Sequence, residues 1–199
     1  MENFKNGDDS TGAVLTARFV SLNYMNCDKP TTGSDSTRYM YFGNYKTTIG
    51  NVKGRTDEGS YIGGKWNTQK CLDACTKENK DLTNGVTNNS GTGYCAPACC
   101  CVAYSTPGTK QGDWYLPMPG ELYQIYANKT TINEKRKAIK GSGFSDFDDK
   151  YWSSREDSSY NECSVNLLNG YFYYGEKSKY DRYVLGFLAL EVWLWCHTS

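Results

Sequence analysis

Val165-Asn166-Leu167-Leu168-Asn169-Gly170-Tyr171-Phe172-Tyr173-Tyr174 is the stretch on which the fold turns. Asn169-Gly170 is the strongest hairpin signal in the chain, because both residues tolerate the positive φ of a tight turn. It predicts two antiparallel strands, one from Cys163 to Leu168 and one from Tyr171 to Tyr174. Alternation along the second strand puts Phe172 and Tyr174 on one face, and Tyr171 and Tyr173 on the other. If such a sheet has one wet side, both faces cannot be core. Tyr151-Trp152-Ser153-Ser154 before the hairpin and Tyr183 to Trp195 after it read as further strands.

Upstream the pattern turns helical. Thr131 with Glu134 three residues on is a capping-box pattern, for a helix that buries Ile132 and Ile139 and stops near Gly141 or Gly143. Pro119 starts another helix, with Glu121 in the dipole-favoured first turn and Leu122, Ile125 and Tyr126 as its apolar stripe. Trp114 to Pro117 is a short strand cut by proline. Pro97 opens a short helix through Tyr104 that ends at Thr106-Pro107-Gly108. Asn67 or Thr68 caps a helix with Cys71, Leu72 and Cys75 as its inner face, up to about Lys80. Arg38 to Phe42 and Ala13 to Met25 read as strands, and residues 1–12 as a polar arm. Helices lie in the middle and strands at both ends. The fold class is therefore α+β, a single domain over 13–199 whose N- and C-terminal strands pair to close it.

Composition narrows the function classes. The 199 residues carry 22 Lys+Arg and 22 Asp+Glu, so no bulk positive charge favours nucleic acid. Aromatic residues make up 15%, with 17 tyrosines, which argues against disorder. The single histidine, His197, nearly excludes a histidine dyad or a histidine-rich metal site, and no catalytic residue is expected. The N-terminus has no basic region followed by an apolar stretch, so no secretory signal is expected. The apolar run Tyr183 to Cys196 is interrupted by Glu191 and too short to span a bilayer.

Nine cysteines leave at least one unpaired within the chain. The Cys99-Cys100-Cys101 run is a poor disulfide framework, and buried reduced thiols are the expectation. The i,i+4 pairs Cys71/Cys75 and Cys95/Cys99 admit a structural zinc site as the alternative. Asp146, Asp148 and Asp149 could ligate a structural calcium ion, although such a cluster is usually a solvated loop.

Several motifs carry a family resemblance over roughly residues 38–190. Gly112-Asp113-Trp114-Tyr115-Leu116-Pro117 with Pro119-Gly120-Glu121-Leu122 resembles the "WYLPSAGEL" stretch of Bacteroidetes and gut-phage proteins. Tyr151-Trp152-Ser153-Ser154-Arg155-Glu156, Asn169-Gly170-Tyr171, Tyr183-Val184 and Leu188-Ala189-Leu190 resemble the ending of the same proteins. Lys65-Trp66-Asn67-Thr68 and Ala96 to Tyr104 sit where that family places its two earlier helices. The family is similar to the fibrobacter-succinogenes-major-paralog group. The resemblance implies a C-type-lectin-like fold, in the branch shared with formylglycine-generating enzymes. Variable proteins of diversity-generating retroelements share it, and there the C-terminal segment carries variable positions that bind a host-cell target. This chain departs from the pattern at Cys163, where the family often has Trp, and at Leu185 and Gly186, where it has Arg and Pro. The second departure predicts the loss of a buried arginine contact. The calcium-dependent sugar motifs of true C-type lectins are absent.

Tyr, Ser, Asn and Gly near the C-terminus form the chemistry of antibody paratopes: large contact area from Tyr, adaptable hydrogen bonding from the small polar residues. The expected ligand-binding residues are Asp157, Tyr160, Asn161 and Ser164, then Tyr171, Tyr173 and Tyr174, and then Ser178, Lys179, Tyr180, Asp181 and Arg182. Trp114, Trp152, Trp193 and Trp195 are expected in the core. The expectation is a non-enzymatic recognition protein of a phage virion, in a fibre, tail tip or capsid decoration. It would bind a bacterial surface protein or glycan, attach to other virion proteins through the arm, and form a homotrimer by fold analogy. The alternatives are a bacterial cell-surface adhesin and a formylglycine-generating-like oxidase holding copper between Cys163 and Cys196.

Overall fold

The computed structural model describes residues 13–21, 42–43, 45–51, 63–77, 95–140, 147, 149–178 and 182–194. The expected arm over 1–12 and most of the strand expected at 38–42 lie outside them. In chain order the elements are β1 (Ala13–Val20), α1 (Gly63–Lys77), α2 (Ala96–Ala103), β2 (Trp114–Tyr115), α3 (Pro119–Ala127) and α4 (Lys129–Lys140). They continue as β3 (Lys150–Glu156), β4 (Asn161–Asn166), β5 (Phe172–Glu176) and β6 (Phe187–Leu194). The fold is α+β, with two small antiparallel sheets ordered β1-β6-β2 and β3-β4-β5.

The expected closure by the terminal strands is present. β1 and β6 pair along their whole length, from Ala13 opposite Leu194 to Val20 opposite Phe187. The segment leading into β6 ties the two sheets together. Trp152 N–H donates to Tyr183 O, and Tyr183 N–H donates to Lys150 O, both at 2.9 Å. On the other side Ser21 N–H donates to Gly186 O at 2.9 Å.

Neighbouring residues on these strands go to opposite interiors, as a two-residue period requires. Trp114, Trp152, Val184 and Leu188 join one apolar cluster, with Phe42, Leu116, Cys71 of α1, and Cys95, Cys99, Cys100 and Cys101 at and within α2. Tyr115, Tyr151, Leu185 and Phe187 join a second, with Leu122, Ile125, Phe147 and Val165. Both faces are therefore covered at β3, β4 and residues 183–188, so the premise of one wet side fails there, whereas the outer strand β5 keeps exposed positions. Of the four tryptophans expected in the core, Trp114 and Trp152 are buried; the side chains of Trp193 and Trp195 lie outside the described set.

Three local readings need correction. α1 starts at Gly63 rather than at a cap on Asn67 or Thr68. Both of those are buried inside the helix, and Thr68 Oγ1 bonds Gly64 O at 2.8 Å. α4 starts at Lys129, ahead of the Thr131 pattern, directly after the turn that ends α3. Its covered face is Ile132, Asn133 and Arg136, and Ile139 is exposed. Arg136 replaces the expected apolar contact by laying its guanidinium over the Phe147 ring, 3.5 Å from the centroid.

The hairpin turn is longer than two residues. Residues 167–170 form it, because Asn166 N–H donates to Tyr171 O at 2.9 Å and Gly170 N–H donates to Asn166 O at 2.7 Å. Asn166 Oδ1 accepts from Leu168 N–H at 2.7 Å, and Asn169 Oδ1 from Tyr171 N–H at 3.0 Å. Gly170 sits at φ 75° against the Tyr126 ring, which explains the glycine.

Candidate functional site

β5 is the outer strand of its sheet and has no second partner among the described residues. Three exposed tyrosines lie about the β4–β5 pair: Tyr171 at the hairpin, Tyr174 mid-strand on β5, and Tyr160 in the turn before β4, across from Lys177, at 65%, 54% and 49% exposure. At ~3.3 Å per residue they extend over roughly 15–20 Å. Tyr174 lies opposite Cys163 and Glu176 opposite Asn161, so antiparallel pairing carries the Tyr171 end of β5 away from Tyr160.

Exposure follows position along the strand rather than face. Phe172, on the same face as Tyr174, stacks on Tyr123 of α3 at a centroid distance of 6.0 Å and 18° between planes. Tyr173, on the other face, is half-buried with Lys150 Nζ 5.1 Å from its ring centroid. Tyr45 meets Tyr160 edge-on at 5.5 Å. Leu168, 61% exposed, adjoins Tyr171 and borders a shallow cavity of about 420 Å³ with Tyr126, Lys129 and Thr131.

Of the other expected site residues, Asp157 is exposed, and Asn161 and Ser178 are half-buried near Tyr160. Lys179, Tyr180 and Asp181 lie outside the described residues. Ser164 and Arg182 differ from the exposed positions expected of them: both are buried, at 0% and 5% exposure. Arg182 Nε donates to Ser164 Oγ at 2.8 Å, and its guanidinium lies 5.0 Å from the Trp152 ring centroid. A side chain at Gly175 would strike that guanidinium, so glycine opens the space it fills. A buried arginine contact is thus present, three positions before the buried Leu185 that stands where the resembling family has Arg.

Beneath the Tyr160 end lies a polar node that sequence reading missed. Glu156, Glu162, Lys177, Asn51 and Ser154 are all buried. Lys177 Nζ donates to Glu156 Oε1 at 2.5 Å and to Thr47 O at 2.9 Å. The Glu156 carboxylate also accepts from Ile49 N–H at 2.9 Å and Gly50 N–H at 2.8 Å. Lys177 N–H donates to Tyr160 O at 2.9 Å, which pins the exposed tyrosine's backbone to the node. Tyr45 was missed for the same reason: it reaches Tyr160 from a loop more than a hundred residues away, and no local pattern marks it.

The thiols are mostly as expected. Cys71, Cys101 and Cys163 are buried free thiols, and Cys95 and Cys99 are buried in the same apolar cluster as Cys71. Cys100 corrects the expectation, since it is disulfide-bonded, with a partner whose side chain lies outside the described set. Burial raises the Cys101 thiol well above its ordinary range, with Cys71 adding to the effect. Burial likewise pushes the Cys163 thiol up to about 12. No group of three or more potential metal ligands comes together among the described residues. Cys75 of the zinc alternative and Asp146 and Asp148 of the calcium alternative fall outside what is described. Asp149 Oδ1 accepts from Lys150 N–H at 2.7 Å. No helix among the described residues is long and apolar enough to cross a membrane.

No protein-family model matches the chain, and the search of curated proteins found no match.

Proposed function

We propose that this chain is a non-enzymatic recognition protein that binds a bacterial surface protein or glycan through the tyrosine-lined edge of β5. The observation that carries the reading is the exposure of Tyr174 on β5, of Tyr171 just before it and of Tyr160 just before β4, around a sheet whose central strand is buried. Exposed tyrosines on a fixed frame give large contact area at little entropic cost. Equal numbers of cationic and anionic residues agree with recognition by aromatic contact and hydrogen bonds rather than by bulk charge.

The scaffold we propose is C-type-lectin-like, and the zipped chain ends, β1 against β6, support that assignment. The motifs shared with gut-phage proteins favour a virion setting over a cell-surface adhesin. Homotrimerisation and attachment through the arm over 1–12 belong to the same proposal. Cys163 weighs against the oxidase alternative. A reactive or metal-ligating cysteine has a lowered pKa in an accessible site, whereas this thiol is buried with its pKa raised.

The test is binding of fluorescently labelled protein to intact Bacteroides cells, measured by flow cytometry. Wild type should bind, and Tyr160→Ala, Tyr171→Ala and Tyr174→Ala should each weaken binding. Binding unchanged in all three folded variants would refute the surface.

A further inference from the structure

Among the described residues, the polar node beneath Tyr160 carries one negative charge more than its cations balance. Glu156, Glu162 and Lys177 are 3%, 0% and 0% exposed, and Lys177 Nζ is committed to Glu156 Oε1. Glu162 is bound instead by an amide: Asn51 Nδ2 donates to its Oε1 at 2.8 Å and to Ser154 O at 2.7 Å. The carboxamide oxygen Asn51 Oδ1 and the second carboxylate oxygen Glu162 Oε2 are both buried with no hydrogen-bond partner. Turning the carboxamide over does not help, because its oxygen would then face Glu162 Oε1 and Ser154 O, two acceptors.

Two planar groups joined by one hydrogen bond, each with one oxygen unmatched, lack a single donor. We propose that Glu162 is a neutral carboxylic acid in the folded protein, with its Oε2–H donated to the Asn51 carboxamide oxygen to close an acid–amide ring. One proton then supplies the missing donor and cancels the excess charge. A cation between the two oxygens fits less well, since a hard divalent ion takes six or more oxygen ligands and, among the described residues, only these two side-chain oxygens are unmatched.

The surroundings agree from every packed element. β3 contributes Glu156, a second carboxylate, and α1 contributes the Cys71 thiol. Lys177, after β5, is the one cation acting on Glu162 among the described residues, and it is held by Glu156. Opposite Glu162 on β5 is Gly175, and behind it the Arg182 Nε is bound to Ser164 Oγ. Burial raises the Glu162 pKa most, then Cys71 and Glu156; Lys177 and the Asn51 bond oppose them without reversing the direction.

The sign of the pH effect follows. A carboxyl with a raised folded pKa stabilises the fold fully below its unfolded pKa of about 4.3, and loses that contribution as pH rises toward the folded value. Glu162→Gln keeps a donor and an acceptor at this position but does not titrate. Urea unfolding of both proteins from pH 4 to pH 8 reads the difference. We expect the unfolding constant of wild type to grow relative to Glu162→Gln by about tenfold per pH unit above about pH 4.3, until the folded pKa is passed. A ratio that stays flat, or that moves the other way, overturns the proposal. So does a calcium chloride titration that raises the wild-type midpoint and leaves Glu162→Gln unmoved.

If Glu162→Gln does not fold, wild type alone decides. Infrared spectra of protein labelled with ¹³C-glutamate at neutral pH should show a protonated-carboxyl band that vanishes on unfolding. Glu121, the other buried glutamate held by neutral donors, Tyr115 Oη–H at 2.8 Å and Met118 N–H at 2.9 Å, is controlled for by Glu121→Gln, which should keep the band. Absence of the band overturns the proposal.

Discussion

β3 holds two kinds of interior on one strand. At Trp152 it enters an apolar cluster of aromatic rings, aliphatic side chains and thiols. Four residues on, at Glu156, it enters an ionic node in which almost every polar atom has a named partner. The apolar interior is non-directional, and its contribution scales with area removed from water. The node is directional. It ties the loop at 47–51, β3, β4 and the residue after β5 at fixed distances, directly beneath the Tyr160 end of the surface. Breaking one partner of such a node costs more than its bonds contribute net, because the other partner is left charged and buried.

Lys177→Met is the sharpest way to break the comparison. It strands the Glu156 carboxylate with backbone donors alone, and should cost ~3–5 kcal/mol in urea unfolding. Adding Glu156→Gln to it should recover part of that loss, because the stranded charge is gone. A loss below about 1 kcal/mol for Lys177→Met alone would mean that the node is no more than a surface-strength ion pair.

Gly170→Ala should cost ~1–3 kcal/mol, from a positive φ and from a methyl group driven into the Tyr126 ring. A neutral result would show that the hairpin relaxes and that the Tyr171 end is not held as described.

Cys163, on β4 beside Glu162 but outside both apolar clusters, offers a second pH arm. Its thiol is raised to about 12, so its contribution to stability is full below the unfolded value of about 8.5 and is lost as pH climbs toward 12. At pH 8 its alkylation in the native protein should be slower than in the unfolded chain by about a thousandfold, from the thiolate fraction alone. Equal rates, followed by mass spectrometry of the Cys163 peptide, would contradict a packed, protonated thiol.

The fold was more legible in the sequence than the site, and the reason is physical. Strand alternation and the apolar run at Tyr183 onward are local patterns, and they yield β3, β4, β5 and β6 with the closure of the chain ends. Gly63 and Gly64 hid the start of α1, because glycine is a poor helix former and Gly64 is there to let Tyr115, Met118 and Glu121 approach. Arg136 and Asn133 hid the inner face of α4, since a helix face covered by a guanidinium over a ring has no apolar period. The node was invisible because Asn51, Glu156, Glu162 and Lys177 are far apart in sequence and of types that are almost always exposed. Ser164 and Arg182 were misplaced for the same reason. Tyr160, Tyr171 and Tyr174 were legible as surface because they flank or interrupt the hairpin signals.

The surface should respond in the opposite way to the node. Tyr160→Ala, Tyr171→Ala and Tyr174→Ala remove exposed side chains, so each should change stability by no more than about 0.5 kcal/mol. The central claim is that recognition sits on the β5 edge, above a scaffold that does not need these tyrosines. The most direct test is the apparent affinity of the triple variant Tyr160→Ala/Tyr171→Ala/Tyr174→Ala for Bacteroides cells. It is measured beside wild type and beside Ile139→Ala, which trims an equally exposed side chain on α4. The account predicts a loss of at least a hundredfold (about 2.7 kcal/mol) for the triple variant, wild-type affinity for Ile139→Ala, and closely similar unfolding midpoints for all three. Undiminished binding by a folded triple variant would contradict it.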